Sequence, residues 1–491
     1  MIKNSLLRKF STIHLTEAEE KVFAALMEAS AALDKNTTLR AAGGWVRDKL
    51  LGGESSDIDI ALDNIPGDEF AEFLYERERS KGNISSIGIV KENPEQSKHI
   101  RTASFRFHGL DLDMNNLRSE TYTEHSRIPE VKFAKHPSED ALRRDFTINA
   151  LYFNLNTQEV EDFTGTGLSD LESGIVRTPL AAARTFVDDP LRVLRAIRFA
   201  SRFNFELDGE IIDSWTHEDV RTGLMNKVSR ERIGTEISKM MRDSNAKIAI
   251  KNLFKSGLMS LILQPPEQAN VPSLAGVNAK DYAEWKKAWI GSDNEKYGSD
   301  LLLSKLNLIG AEHLSASEMF YFNLCVLFLE TVVGKINPNP SLVSRLAVKL
   351  SSNDSKSIGN ILSSRNSFAG IFNAPRKAVA VTLGQLSRGL LKEHLRTAFI
   401  VSQVCESAIN EGDLTRQIGM LDSVISEFNL EKCHEWKPVI DGLEIQKLFA
   451  VKPGKLIQEL LSIQLDMMFT GERDYETIKA CLLSEKQKCI G

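Results

Sequence analysis

The chain has 491 residues, 42% hydrophobic and 26% charged, which excludes a largely disordered protein and leaves room for about three domains. A formal net charge of −6 argues against indiscriminate binding to nucleic acid, although a local arginine stripe can still hold phosphate. No apolar run reaches the ~18 residues of a membrane span, and the five cysteines, with no C-x-x-C pair among them, fit free thiols in a reducing compartment.

Residues 1–16 carry Lys3, Arg8 and Lys9 among Leu6, Leu7 and Phe10, with no acid. That composition fits a short mitochondrial presequence and, equally, an ordinary N-terminal arm. Thr16 then caps a helix with Glu17 and Glu19 in its first turn and Val22, Leu26 and Ala29 on its apolar face. A strand over 39–42 leads into Gly43-Gly44, followed by a helix over 45–51, a strand over 57–62 and a helix over 68–76. Strands over 84–90, 102–107 and 110–115 complete a mixed α/β head that closes near Phe153. Beyond it, strand signals fade. Helical periodicity covers 190–203, 229–241, 246–255, 317–332, 340–350 and 384–411, with Pro/Gly-rich breaks at 264–276 and 336–340. The fold class is therefore an α/β head followed by an all-α neck, body and tail, a multidomain α+β chain. The divisions are 1–16 (leader), 17–155 (head), 156–265 (neck), 266–430 (body) and 431–491 (tail).

Three clusters carry chemistry. In Ala42-Gly43-Gly44-Trp45-Val46-Arg47-Asp48, two glycines let backbone amides approach a triphosphate. In Asp57-Ile58-Asp59-Ile60, period two puts both carboxylates on one strand face, as a pair of Mg²⁺ ions would need for in-line displacement. Asp111 and Asp113 repeat the pattern on a later strand, where a third acid would complete the cage and activate a 3′-hydroxyl. The bland alternative is two solvent-facing edge strands. Together the glycine turn and acidic strand resemble the nucleotidyltransferase superfamily of DNA polymerase β.

The second cluster is Arg143-Arg144-Asp145-Phe146-Thr147-Ile148-Asn149-Ala150. Read as a helix capped by Ser138, it sets Asp145 and Asn149 on one face, able to bond ribose hydroxyls, with Arg144 as a fork for phosphate. A surface ion pair is the plainer reading. The third is Asp188-Asp189-Pro190-Leu191-Arg192. Asp189 as cap and Pro190 at the first turn explain it structurally. One turn apart, Asp189 and Arg192 also offer an acceptor and a donor fork matched to the Watson–Crick edges of cytosine and adenine. Arg195, Arg198 and Arg202 continue a stripe suited to triphosphate or RNA backbone.

With these motifs in order, the chain resembles the class II tRNA nucleotidyltransferases, the CCA-adding enzymes, of eukaryotic type. D-F-T-G-x-G-x-x-D-L at 162–171 and K-V-S-R-E-R-I-G-x-E at 227–236 extend the match, as do 93–99 and 116–122, so that it covers about residues 35–245. The resemblance implies transfer of CMP and AMP from CTP and ATP to the 3′ end of tRNA, without a nucleic-acid template and with two Mg²⁺ ions. Asp57 and Asp59 would bind metal and Asp113 would be the third acid. Gly43, Gly44, Arg47 and Asp48 would shape the triphosphate site, and Arg144, Asp145 and Asn149 would face ribose and phosphates. Asp189 and Arg192 would select the base and Arg195 would join the nucleotide, while Arg198, Arg202 and Arg230 would meet the RNA. The expected partners are tRNA, CTP and ATP, with no membrane and no obligate protein partner, and the expected compartments are mitochondrial, cytoplasmic and nuclear. The alternatives are a CC-only or A-only enzyme, an RNA poly(A) polymerase of the same superfamily, and a non-catalytic tRNA-binding protein. Two departures favour partial addition. Thr166 stands where the family has lysine, and Phe133-Ala134-Lys135-His136-Pro137 replaces the family's F-G-T-P.

Overall fold

The computed structural model describes residues 13–82, 87–90, 102–123, 126–265, 314–333, 340–405 and 411–490. Most of the leader, the 93–99 motif and the start of the expected body lie outside the described residues. The chain divides into two compact units, Met1–Glu236 with Ser256–Leu261, and Ile237–Lys255 with Ile262–Gly491. The head and most of the expected neck thus form one unit.

That first unit opens with helix α1 (Glu17–Leu33). Thr16 Oγ1 accepts from the Glu19 amide while Glu19 returns the bond to the Thr16 amide, a complete capping box. Strand β1 (Leu39–Ala42) runs into α2 (Gly44–Leu50), then β2 (Asp57–Leu62) and α3 (Gly67–Glu78). Strands β3 (Gly88–Val90), β4 (Thr102–Phe107) and β5 (Leu110–Asn116) follow, then the separate ribbon β6 (Arg118–Thr123) and β7 (Ser126–Phe133). Helix α4 (Pro137–Leu142) and strands β8 (Leu151–Asn154) and β9 (Glu159–Asp162) complete the head. The main sheet has the order β3-β4-β5-β2-β1-β8-β9. Its β2–β5 pair is parallel and the other pairs are antiparallel. Because β9 pairs with β8, the sheet runs past the division expected at 155. One sheet face is apolar: Ile58, Ile60, Leu62, Leu112 and Met114 are buried. The other face carries the acids.

Helix α5 (Gly167–Ser173), the short pair β10 (Ile175–Val176) and β11 (Glu206–Leu207), α6 (Ala182–Asp188) and α7 (Arg192–Phe203) come next. They are followed by α8 (Gly209–Ser214), α9 (Glu218–Lys227) and α10 (Arg230–Arg242).

Three expectations are corrected. No helix runs through 143–149: α4 ends at Leu142, Phe146 is extended and only Thr147–Asn149 forms a 3₁₀ turn. The residue at the head of α4 is His136, with Pro137 inside the first turn, so Ser138 is not the cap. Asp189 is the C-terminal cap residue of α6, and α7 starts at Arg192 after Leu191. The Asp189 carboxylate still accepts from the Leu191 amide at 3.3 Å, so it steadies the chain between the two helices.

The second unit is helical in its described residues. It comprises α11 (Ala246–Lys255), α12 (Leu258–Ile262), which begins in the first unit, α13 (Ala316–Val333), α14 (Pro340–Ala347) and α15 (Ser352–Ser363). After these come α16 (Arg376–Leu386), α17 (Leu395–Cys405), α18 (Glu411–Phe428), α19 (Gly442–Phe449), α20 (Lys455–Phe469) and α21 (Tyr475–Ile490). The helix expected over 384–411 is broken by a π turn at Ser387–Leu391 and by Lys392, whose φ is 48°. No described helix is long and apolar enough to cross a membrane.

Candidate active site

The parallel register of β2 and β5 sets Asp57 beside Asp111 and Asp59 beside Asp113. Register partners share a face, so four carboxylates form one ridge. Asp111 has Arg106 at 3.9 Å; among the described residues no basic side chain pairs with Asp57, Asp59 or Asp113. Desolvation pushes Asp59 up to about 6; the Arg144 charge opposes the rise, and Asp113 and Asp57 add to it. Asp57 is raised by desolvation and then by Asp113 and Asp111. Such a ridge of oxygen donors, three of them without an ion-pair partner among the described residues, has the chemistry a hard divalent cation takes. Among the described residues no three acids converge as a closed ligand cage. The donor types fit a metal; their convergence would come with it.

Beside the ridge, β1 enters the glycine turn. The Gly43 amide donates to Leu151 O at 2.9 Å, and Gly43 has φ 69° and ψ −119°, a conformation that glycine alone adopts readily. A Cβ there would lie 2.8 Å from Arg144 Nη1. Arg144 is therefore seated under the turn. It donates to Asn149 O at 3.1 Å, to Asp140 at 3.0–3.1 Å and to the Tyr152 hydroxyl at 3.1 Å. Asp140, 1% exposed, gathers these groups. It also accepts from Arg143, from the Tyr152 hydroxyl at 2.5 Å and from the Arg118 amide at 3.1 Å. Burial alone would raise its pKa, but Arg144 and Arg143 hold it well below the usual carboxylate range.

Asp145 and Asn149 do meet, although not through a helix. Asn149 Nδ2 donates to Asp145 Oδ1 at 2.9 Å, the Phe146 amide donates to the same oxygen, and Arg195 donates twice to Oδ2 at 2.5 and 2.8 Å. Burial would raise the Asp145 pKa, but Arg195 and Asn149 bring it down to about 2. Arg47 donates to Asn149 Oδ1 and pairs with Asp48 at 2.7 Å. With its oxygens so occupied, Asp145 can accept a ribose hydroxyl only by exchanging a partner.

These groups line a cleft of about 510 Å³ within the first unit. Of the expected residues, Gly43, Gly44, Arg47, Asp59, Arg144, Asp145, Asn149, Asp189, Arg192, Arg195, Arg198 and Arg202 line it. Asp57 and Asp113 share the sheet face with Asp59 but not the lining. Asp48 and Arg230 are also absent from the lining; Asp48 pairs with Arg47 and lies 3.8 Å from Arg202. Arg230 is burial-depressed, to about 10. Arg232, two residues on, reaches the cleft instead and donates to Asp189 at 3.3 Å. Arg192 donates to Arg143 O at 2.8 Å, so Asp189 and Arg192 face the cleft without closing on each other. Arg198 pairs with buried Glu236 at 2.6 Å.

Sequence reasoning missed Arg118, Glu120, Arg143 and Arg232 in the lining, and Asp140, Tyr152 and Glu236 behind it. Arg232 and Glu236 lay within the quoted 227–236 motif, and Arg118 and Glu120 within 116–122.

A family model described as "Poly A polymerase head domain" matches residues 39–177, and one described as "Probable RNA and SrmB- binding site of polymerase A" matches 221–271. The chain is 35% identical over 476 residues to "CCA tRNA nucleotidyltransferase, mitochondrial" of Saccharomyces cerevisiae, covering 87% of this chain and 85% of that one. It is 31% identical over 507 residues to "tRNA nucleotidyltransferase cca1" of Schizosaccharomyces pombe, covering 97% of each. The solved Thermotoga maritima CCA-adding enzyme complexed with tRNA has the same fold, with a TM-score of 0.63 at 21% identity over 98% of both chains.

Proposed function

The chain belongs to the CCA tRNA nucleotidyltransferase family, and from that premise we propose how its cleft does the work. The enzyme adds nucleotides to the 3′ end of tRNA from CTP and ATP, releases pyrophosphate and uses no nucleic-acid template. One observation carries the site assignment: a single cleft joins the Asp59 ridge, the Gly43-Gly44 turn and the Asp189/Arg192 wall.

Asp57 and Asp59 would hold two Mg²⁺ ions, with Asp113 as third acid; when bound, the ions supply positive charge against the triphosphate and the attacking oxygen. The protein's own groups do the rest. Gly43 and Gly44 leave backbone room for the triphosphate, while Arg47 and Arg195 supply fixed positive charge. Asp189 accepts from the exocyclic amine of cytosine or adenine, and Arg192 donates to the neighbouring ring acceptor. Uracil and guanine present the opposite polarity and leave these groups unpaired. Arg198, Arg202 and Arg232 extend the basic wall toward the RNA.

The S. cerevisiae relative is named mitochondrial; together with the basic residues 1–16, that supports a mitochondrial pool, and the cytosolic and nuclear pools are part of the proposal. Fusing residues 1–16 to a reporter tests the leader, and a wholly cytosolic reporter overturns it.

The activity test offers tRNA transcripts ending at the discriminator, at C or at CC, with each nucleotide separately, and reads product length. Extension by CC and then A is expected. Long A tails on unrelated RNA would favour a poly(A) polymerase, and binding without extension a non-catalytic protein. A second reading, partial addition, rests on exposed Thr166 and on buried Ala134, whose amide donates to Leu117 O at 3.0 Å. Arrest after CC, or extension only of tRNA ending in CC, supports it, and three-nucleotide extension at comparable step rates removes it.

A further inference from the structure

The basic wall of the cleft is built around one aromatic ring. Phe199 lies on α7, is 5% exposed and lines the cleft. Three guanidinium groups stand around its ring centroid: Arg198 at 4.2 Å, Arg47 at 5.1 Å and Arg195 at 5.4 Å. All are within the ~6 Å at which a cation feels the ring quadrupole. Behind it, buried Phe146 meets Phe199 edge to face at 5.6 Å, and Phe203 stacks on it at 6.0 Å with the planes 7° apart.

Three like charges around one point repel one another, and burial makes that costlier. Acids offset part of it: Asp145 holds Arg195, Glu236 holds Arg198 and Asp48 holds Arg47. Polar groups also tie the arginines in pairs: Glu236 reaches Arg195 at 3.8 Å as well as Arg198, and Asn149 joins Arg47 to Asp145. Phe199 adds a contact common to all three, its ring centroid lying within 5.4 Å of each guanidinium. The neighbouring Phe203 sits against Arg47 at 4.7 Å and Arg202 at 5.1 Å, so it shares only one cation with Phe199.

We propose that Phe199 is a positioning residue for triphosphate binding: its ring holds Arg47, Arg195 and Arg198 as one preorganised anion cradle. It touches no reacting atom. This deepens the proposed function and rests on the cleft being the nucleotide site.

The test measures CTP binding to the full-length enzyme in the absence of tRNA, where no transfer occurs, and then steady-state incorporation on tRNA. Phe199→Leu keeps an apolar side chain of somewhat smaller volume and removes the quadrupole. We expect about a tenfold rise in the CTP Kd, which corresponds to about 1.4 kcal/mol, with a matching rise in KM and kcat within about threefold. Phe199→Tyr retains the π face and restores CTP binding to within about twofold of wild type. Phe203→Leu shifts the CTP Kd less than Phe199→Leu does. Melting temperatures of all variants report any loss of fold. Unchanged CTP affinity in folded Phe199→Leu overturns the proposal, as does failure of a folded Phe199→Tyr to restore it. If wild-type enzyme itself does not bind CTP, the assignment of the cleft has failed and the platform falls with it.

Discussion

Replacing Gly43 by alanine tests how the turn is built. At φ 69° and ψ −119°, an L-residue carries backbone strain of order 1–3 kcal/mol. Its Cβ would also lie 2.8 Å from Arg144 Nη1 and 3.4 Å from Asn149 O. Arg144 must move, which breaks its 3.1 Å bond to Asn149 O, a charged hydrogen bond worth about 1.5–3 kcal/mol. Its bonds to Asp140 and Tyr152 limit further displacement. The two terms give a loss of roughly 2.5–6 kcal/mol, or roughly 5–24 °C in melting temperature for a unit of this size. Gly44 is the control: its Cβ would meet only Arg47 Nη2, at an ordinary 3.6 Å. Gly44→Ala should therefore leave stability within about 0.5 kcal/mol, and any activity it loses reports on the approach of the triphosphate. The measurements are thermal and urea unfolding with single-nucleotide incorporation. Adding Arg144→Ala to Gly43→Ala should recover the steric part. A Gly43→Ala protein that melts within 1 °C of wild type would refute the reasoning, and strict additivity with Arg144→Ala would remove the clash from it.

Asp59→Asn should abolish CMP incorporation while leaving the melting temperature unchanged or raised, because Asp59 is desolvated and repelled by Asp113 and Asp57 without an ion pair of its own; near-normal incorporation by the folded variant sinks the assignment. Arg192→Ala should lower discrimination of CTP over UTP and GTP by about 5–150-fold, the equivalent of 1–3 kcal/mol, with tRNA binding little changed; unaltered discrimination would leave Arg192 a mere prop for Arg143. Glu19→Gln strands Lys49, which is 6% exposed and paired to Glu19 at 2.7 Å, and should cost about 3–5 kcal/mol in urea unfolding. Asp145 is depressed to about 2 from an ordinary 3.8. Its contribution of roughly 2 kcal/mol is therefore present above about pH 4 and lost as pH falls toward 2. The stability gap between wild type and Asp145→Asn should narrow over that interval, and a gap constant with pH would contradict the ion pair.

The head strands were legible because their signal is local. Asp-Ile-Asp-Ile alternates with the pleat, and the observed β2 keeps the expected ends. The 143–149 segment was misread because its backbone bonds go to distant partners. The Thr147 amide donates to Arg177 O at 2.8 Å and its hydroxyl to Asp170 at 2.7 Å, while Asp145 holds the Phe146 amide. Those bonds replace the helical ladder, and nothing in the local sequence marks them. The 384–411 run failed for a similar reason: at the break the Ser387 hydroxyl donates to Lys392 O at 3.1 Å and the Asn360 side chain to Leu390 O at 2.9 Å, bonds outside the helical ladder. The expected pairing of Asp145 with Asn149 survived the wrong helix because a 3₁₀ turn brings them together as well.

The charges of the cleft fall into two groups, and their difference bears on mechanism. Arg47, Arg144, Arg195 and Arg198 are each held by a carboxylate or a carbonyl inside the protein. Their directions are set before any substrate arrives, so little reorganisation is left for the reaction itself. Asp57, Asp59 and Asp113 have no ion-pair partner among the described residues, and desolvation, with repulsion from neighbouring acids added to it, raises Asp57 and Asp59. The protein thus keeps a prepared positive wall and an unbalanced negative ridge in one site. A nucleoside triphosphate alone would satisfy the wall and worsen the ridge; a cation alone would do the reverse. A triphosphate carrying divalent cations satisfies both at once, which makes the two binding events cooperative by charge balance. CTP affinity should therefore rise with divalent cation in wild type and lose that dependence in Asp59→Asn.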